Sequence, residues 1–364
     1  MAFDRHVVVD ARLAQASGIG TYVRNVVPGL ATLAPTWRFT LILDGSDAAE
    51  WATFPNATVV RTSVRIFTVR EQIVLPALVP RDADLYWATH YNFPLLLRKP
   101  LLVTIHDLGH LRLPEYTKSV AKRSYAQFMF TMARKRAAGL LFDSQFTRNE
   151  FDTLVGASNG NSAVVHLGVN AAWFEVTQDH SPLDEPYFLY VGNIKPHKNL
   201  HTLLTAFEQV SKSMNVRLVL IGRSENFRTA DPSIQARVAS LPKVSMLGEV
   251  DGATVRRYVR HATSLVLPSI YEGFGFPPLE AMAAGCPAIV SRAGSLPEVC
   301  GDAAKYFDAK DAGELARAML AMANDAGARK VLVALGRAHA RRFDWNVTAA
   351  QTHRMLAKVM GAGA

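Results

Sequence analysis

Tyr271-Glu272-Gly273-Phe274-Gly275-Phe276-Pro277-Pro278-Leu279-Glu280-Ala281-Met282-Ala283-Ala284-Gly285 is the stretch from which the fold of this chain is read. It follows an apolar run, Ser264-Leu265-Val266-Leu267-Pro268-Ser269, of the length of a buried strand. Pro277 and Pro278 suit a first helical turn, where a missing N–H leaves no bond unmade. Gly285, with Pro287 beyond it, ends the helix. Gly273 and Gly275 permit backbone turns that a side chain would forbid. A glycine loop therefore carries backbone N–H groups from the end of a buried strand to a helix N-terminus, an arrangement that attracts phosphate. Glu272 and Glu280 frame it. Carboxylates beside a phosphate site make sense as acceptors for sugar hydroxyls.

On these residues the chain resembles the retaining GT-B glycosyltransferases of the large GT4 family. Glu272 and Glu280 match the E-x7-E motif, and the Pro-Ser-Ile-Tyr-Glu-Gly-Phe-Gly-Phe-Pro and Leu-Glu-Ala-Met-Ala-Ala-Gly flanks match as well. The resemblance implies an α/β chain of two Rossmann-like, doubly wound domains facing each other across a cleft. It implies that Glu280 holds the ribose hydroxyls of a nucleotide and Glu272 the donor sugar. Gly275 and Phe276 would offer backbone N–H groups to that sugar or its phosphate. Two glutamates at this spacing without the flanks would read as a solvated loop and a capped helix.

The composition reads as soluble and globular. The chain has 364 residues, enough for two domains. Its hydrophobic content of 49% and charged content of 20% are those of a globular protein. A net charge of +9 suits anionic partners: nucleotide-sugars, phospholipid surfaces or nucleic acid. The two cysteines, Cys286 and Cys300, form no C-x-x-C; they fit a reducing compartment and exclude a cysteine-built zinc cluster. No apolar run reaches the ~20 residues needed to cross a bilayer. Met1 to His6 lacks the basic-then-apolar layout of a signal peptide. The expected location is cytoplasmic, at most peripheral at the inner face of the membrane.

The first half alternates strands and helices. Val7-Val8-Val9 is a strand, and Ser17-Gly18-Ile19-Gly20 is read as a loop before a helix that begins at Thr21 and is kinked at Pro28. A short Gly-x-Gly is weak by itself. The family's Ser-Gly-Ile-Gly-x-Tyr pattern places Gly18 and Gly20 near donor and acceptor. Asp82-x-Asp84 matches a metal motif of a different glycosyltransferase fold and is read here as a strand lead-in. Pro100 to Ile105 is a buried strand ending in His106-Asp107-Leu108-Gly109-His110. Polar groups just past a parallel strand sit where α/β sheets bind ligands. The family's T-x-H-D pattern, with Pro114-Glu115 downstream, puts His106 beside the donor sugar or its diphosphate as a hydrogen-bond donor; His110 is read as structural. Lys118 to Arg136 reads as a basic helix, with Lys122, Arg123, Arg134 and Lys135 among Tyr125, Phe128, Met129 and Phe130. It either packs its aromatics inward or lies on an anionic membrane.

A polar linker, Thr177 to Pro186, opens the second series. The expected domains are 1–176 and 177–345, with the helix 346–364 crossing back onto the first. Strands at 187–191, 217–221, 244–247, 264–267 and 288–290 alternate with helices, which argues for a parallel sheet. The loop Gly192-Asn193-Ile194-Lys195-Pro196-His197-Lys198-Asn199 matches a family pattern whose lysine, here Lys198, neutralises the donor diphosphate. Its usual arginine partner is replaced by Asn193, which cannot offset charge. His197, or Arg223 next to Gly222, is the expected compensation.

The resemblance thus implies transfer of a hexose, with retention, from a nucleotide-sugar to a hydroxyl of a polysaccharide or of a polyprenyl-diphosphate-linked acceptor. The leaving diphosphate would be held by Lys198, the loop N–H groups and the helix end, with no metal and no other cofactor. His106, Glu272 and Lys198 would carry the chemistry. The loop and Thr-Ile-His-Asp patterns look most like bacterial mannosyltransferases of surface polysaccharides, so GDP-mannose leads over UDP-glucose and UDP-N-acetylglucosamine. Two other classes stay open. A nicotinamide oxidoreductase is disfavoured because no G-x-G-x-x-G follows a strand with an acid ~20 residues on. A non-catalytic nucleotide-sugar binder is left room by Asn193. No nucleic-acid-binding module is recognisable.

Overall fold

The computed structural model describes residues 3–45, 51, 53–115, 117, 119–158, 160–223 and 232–361. Lys118, the first residue of the expected basic helix, and the last three residues of the Gly-Ala-Gly-Ala tail lie outside them. The chain divides into two compact units, Met1–Gly168 with Asp344–Ala364, and Val169–Phe343.

The first unit holds a seven-stranded, wholly parallel sheet in the order β3-β2-β1-β4-β5-β6-β7. The strands are β1 Arg5–Asp10, β2 Trp37–Asp44, β3 Ala57–Thr62, β4 Leu85–Ala88, β5 Leu101–Ile105, β6 Gly139–Phe142 and β7 Ser162–Val164. The β4 and β5 sequences, Leu-Tyr-Trp-Ala and Leu-Leu-Val-Thr-Ile, are buried along their full length. Strands covered on both faces need such continuous apolar runs. The order reverses between β1 and β4, so the carboxyl ends of these two strands flank the crevice where open α/β sheets bind ligands. Asp10 ends β1, Thr89 follows β4, and His106 follows β5.

The helix after β1 begins at Gly18, not at Thr21, and runs through Pro28 to Leu33. Ser17 C=O accepts Thr21 N–H at 3.1 Å, so the two glycines complete a first turn instead of a loop. Gly20 is required there, because a Cβ would stand 2.5 Å from the Ala14 carbonyl oxygen. The helix Trp345–Val359, last in sequence, packs against this first helix. Its Ala349 and Leu356 are fully buried, its Thr348 hydroxyl donates to His166 C=O at 2.8 Å, and His353 stacks on Trp37 at 4.4 Å.

Asp82 and Asp84 precede β4 and lie at its amino end, away from the ligand-binding crevice. Asp84 accepts the His6 N–H at 2.7 Å, and Asp82 pairs with Arg38. Both tie neighbouring strands together. In the helix Val120–Arg136, Ala126, Met129, Phe130 and Ala133 are buried, whereas Val120 and Phe128 are exposed beside Lys122 and Lys135.

The second unit repeats the plan with six parallel strands in the order β10-β9-β8-β11-β12-β13. They are β8 Tyr187–Val191, β9 Arg217–Ile221, β10 Val244–Gly248, β11 Ser264–Leu267, β12 Ala288–Ser291 and β13 Ala304–Phe307. The reversal falls between β8 and β11. These two strands deliver the loop 192–199 and the stretch 268–285 to the same end of the sheet. Both domains are Rossmann-like.

Candidate active site

In the second unit, the end of β11 turns through Pro268 to Gly275 into the helix Phe276–Ala284. Gly275 sits at the helix start with φ 106°, and a Cβ there would meet Leu296 at 2.7 Å. Pro277 and Pro278 occupy the first turn, so Gly275 and Phe276 supply its backbone donors. Gly285 closes the helix at φ 83°, its N–H reaching the carbonyls of Ala281 and Met282. From the loop after β12, the Ser295 hydroxyl donates to Phe274 C=O at 2.7 Å and its N–H to Glu272 C=O at 3.1 Å. The glycine loop is thus pinned along its backbone.

Glu272 is the centre of this cluster. Its Oε1 accepts from Lys198 Nζ at 2.6 Å and from Ser269 Oγ at 2.6 Å. Among the described residues its Oε2 accepts no hydrogen bond. The structure therefore brings Lys198 and Glu272, 74 residues apart in sequence, into one ion pair with side-chain exposures of 17% and 12%. Asn199 places the lysine. It adopts the left-handed conformation, φ 57°, and its Nδ2 donates to Pro268 C=O at 3.0 Å and Ala309 C=O at 2.7 Å. The turn Pro196–Lys198 is thereby fastened to the end of β11.

Glu280 lies one helical face further on, partly covered. Burial pushes its carboxyl up to about 7, against the pull of the Trp173 indole N–H that donates to it. A carboxyl poised at that value can accept or donate a hydrogen bond near neutral pH. Trp173 carries no obvious signal in the sequence; it comes from the turn Ala171–Trp173 near the start of the unit.

Asn193 and Arg223, one of its expected compensations, belong to adjacent loops, with Ile194 N–H donating to Arg223 C=O at 3.0 Å. Asn193 follows Gly192, whose N–H bonds to Ile221 C=O at 2.9 Å, and the Asn193 C=O accepts from Tyr190 Oη at 3.1 Å. Gly222 has to be glycine, since a Cβ would stand 2.0 Å from the Gly192 carbonyl oxygen. Arg223 is held in a bidentate pair with Glu249, both contacts at 2.5 Å, with both side chains well exposed. Its charge is already balanced, so serving a diphosphate requires it to leave Glu249.

In the first unit, His106 is engaged on both sides. Nδ1 lies 2.6 Å from Asp143 Oδ2, and Nε2 lies 2.8 Å from Thr89 C=O. A carbonyl oxygen only accepts, so Nε2 carries a proton. The second proton is favoured at Nδ1 by the carboxylate. Burial lowers the histidine's pKa, but the charge of and hydrogen bond to Asp143 outweigh it, and the net shift is upward. The edge of Tyr22 packs against the ring at 5.1 Å. His106 is thus clamped on both sides, and a hydrogen bond from it to a sugar must replace the one to Thr89 or to Asp143. Asp143 could have been anticipated as a polar residue at the end of β6, but nothing in its spacing links it to His106. Gly18 and Gly20 lie in the first helical turn, where Ser17 makes no side-chain cap among the described residues. Asp107 caps the Gly109 N–H at 2.8 Å and His110 packs near Tyr91, both within the short helix that follows β5. Among the described residues, no group of three or more His, Cys, Asp or Glu is arranged to hold a metal ion.

Residues 172–339, nearly the whole second unit, match the family of glycosyl transferases group 1. Over those residues the chain is similar to the group 1 glycosyl transferases. Its relatives include the O-antigen chain mannosyltransferase RfbU of Salmonella typhimurium, 31% identical over 63% of this chain and 62% of that protein. Another is the O-antigen chain mannosyltransferase B of Escherichia coli, 27% identical over 74% of this chain and 72% of that protein. The match thus spans somewhat under two thirds of the first of these proteins. Among solved structures, sucrose-phosphate synthase from Thermosynechococcus elongatus superposes with a TM-score of 0.82 at 20% identity, covering 99% of this chain and all of that one. At that identity the likeness shows the fold, which is the GT-B type. The group 1 domain contains the glycine loop, Lys198, Glu272 and Glu280; His106 lies outside the matched residues.

Proposed function

We propose that this glycosyltransferase moves a hexose, with retention of configuration, from a nucleotide-sugar to a hydroxyl of a polysaccharide or lipid-linked oligosaccharide, with mannose from GDP-mannose as the leading donor. The observation that carries the reading is the Lys198–Glu272 pair at the end of β11. A cation and a carboxylate with one oxygen open meet beside a glycine-started helix. The cation suits a diphosphate, the helix start adds its N–H groups, and the carboxylate suits a sugar hydroxyl. Glu280, near neutral protonation, takes the ribose hydroxyls. The mannosyltransferase relatives support the donor; UDP-glucose and UDP-N-acetylglucosamine are the alternatives.

In this reading Lys198 turns from Glu272 to the departing diphosphate, and Glu272 is freed for the sugar. The reaction needs no metal, because charge on the leaving group is met by Lys198 and backbone donors. His106 serves as a hydrogen-bond donor to the donor sugar or its diphosphate. The chain works in the cytoplasm. The helix Val120–Arg136, with Val120 65% and Phe128 48% exposed among its lysines and arginines, meets an anionic membrane surface where a lipid-linked acceptor resides. No helix among the described residues is long and apolar enough to cross a membrane.

Calorimetric titration with GDP and UDP, wild type against Glu280→Ala, tests the ribose assignment: the variant should bind at least tenfold more weakly. Equal affinity would refute it. Activity retained in excess EDTA is expected, and its loss would refute metal independence.

A further inference from the structure

Tyr22, in the second turn of the first helix, is held by more than packing. Its side chain is buried. The ring stands edge-on to Trp87, with centroids 6.0 Å apart, and lies against His106 at 5.1 Å. Its hydroxyl meets two others, that of Thr104 in β5 at 3.3 Å and that of Thr352 in the helix Trp345–Val359. Both threonines are buried as well. A phenylalanine would fill the same space without a hydroxyl whose lost water has to be replaced by partners.

The protons of these hydroxyls run one way. The Trp87 indole N–H can only donate, and it does so to Thr104 Oγ1 at 3.0 Å. Thr352 Oγ1 gives its own proton to Thr348 C=O at 2.8 Å, so it receives that of Tyr22. Burial and the Asp143 charge hold the Tyr22 phenol well above its usual value, so that proton is present. Tyr22 thus accepts from Thr104 and donates to Thr352. The Thr348 hydroxyl continues the row to His166 C=O at 2.8 Å. A row of buried hydroxyls therefore joins β5, at the residue two before His106, to the last helix, with the Tyr22 ring between them. Hydrogen bonds linked in this way reinforce one another. The His106 ring is held by Asp143 and Thr89, and in the transferase reading it gives up one of these bonds to meet the donor. The ring is then free to turn about its Cβ–Cγ bond, and a Tyr22 ring that cannot itself move limits the turn.

We infer that Tyr22, fixed by the hydroxyls of Thr104 and Thr352, is a positioning residue for His106, through which the last helix takes part in setting the geometry of the reacting site. The inference rests on the transferase reading for what His106 does, though not for how it is held. The test compares Tyr22→Phe and Thr352→Val with Ala349→Gly in the full chain. The first two keep the packing and remove one hydroxyl each. The third loosens the last helix where Ala349 lies against Gly29 and leaves the hydroxyls in place. One readout is the set of His106 ring resonances in long-range proton–nitrogen NMR, assigned by their loss in His106→Gln. The other is steady-state donor hydrolysis. In Tyr22→Phe and Thr352→Val the resonances should shift or broaden, and kcat should fall at least fivefold with KM within twofold of wild type. The double variant should lose no more than the worse single one, as links of one row do. Ala349→Gly should lower the melting temperature and leave both readouts as in wild type. Unmoved resonances in Thr352→Val, resonances that move while kcat stays, additive losses in the double variant, or the same changes in Ala349→Gly would overturn the positioning role. Unmoved resonances in a chain that splits a donor refute that role alone. Resonances that move in a chain that splits no donor refute the transferase reading and leave the hold of Tyr22 on His106 standing.

Discussion

Glu280 shows how burial of a single carboxyl ties its protonation to stability. Its pKa in the folded chain, about 7, lies above the ordinary 4.5. The folded state therefore holds this proton more tightly than the unfolded chain. The associated stability is complete below about pH 4.5 and is lost as pH rises through 7. Glu280→Gln should raise the melting temperature at about pH 8, by the equivalent of about 1–3 kcal/mol, and change it little at about pH 5. Thermal melts at the two pH values check this, and an equal gain at both would contradict it. His106 has the same sign by a different cause, since the Asp143 carboxylate raises it. Its contribution is present below the ordinary histidine value and fades as pH rises through the raised one. Asp143→Asn should move the His106 titration, followed by NMR of the ring protons, to lower pH. His106 is legible in the sequence because a polar residue follows a continuous apolar strand. Its partners are not, because Thr89 and Asp143 are 17 and 37 residues away and meet it only through the order of the strands.

At the scale of elements, the strand, loop and helix at 264–285 read directly from sequence because each boundary has a local cause: β-branched residues, glycines with positive φ, prolines in the first turn and a glycine end. What holds them is not local. Asn199 joins Ala309 across 110 residues and Ser295 joins Phe274 across 21. Asn199→Gly keeps the left-handed backbone but removes two hydrogen bonds to carbonyls. It should cost about 1–3 kcal/mol in chemical denaturation and lower kcat more than it raises KM, through loss of Lys198's position. Gly275→Ala places a side chain at φ 106° against Leu296 and should destabilise by at least about 1 kcal/mol, with loss of nucleotide binding. The first helix is the instructive departure. The glycines Gly18 and Gly20 suggest a loop, yet both lie in the helix; at Gly20 the close approach of the Ala14 carbonyl needs a residue without Cβ, whatever the backbone conformation.

The whole molecule follows from alternating apolar strands and amphipathic helices, repeated twice, and that alternation gives the two parallel sheets. Strand order is set by handedness and short connections, which is why both reversals, β1 to β4 and β8 to β11, bring polar loops to the carboxyl ends of strands. The helix Trp345–Val359 belongs by contact to the first unit although the second precedes it. Truncation at Asp344 removes the helix whose Ala349 lies against Gly29 of the first helix and should leave the first unit open to limited proteolysis, whereas a fragment of the second unit resists. The central claim concerns Lys198 and Glu272, and its most direct measurement is donor hydrolysis. Purified protein should be given a panel of GDP- and UDP-hexoses in EDTA, with wild type beside Lys198→Ala and Glu272→Gln. The account predicts one preferred donor, GDP-mannose first, slowly split to nucleoside diphosphate and free sugar, with each variant slower by at least about a hundredfold. Wild-type rates in both variants, or no donor bound at all, would contradict it.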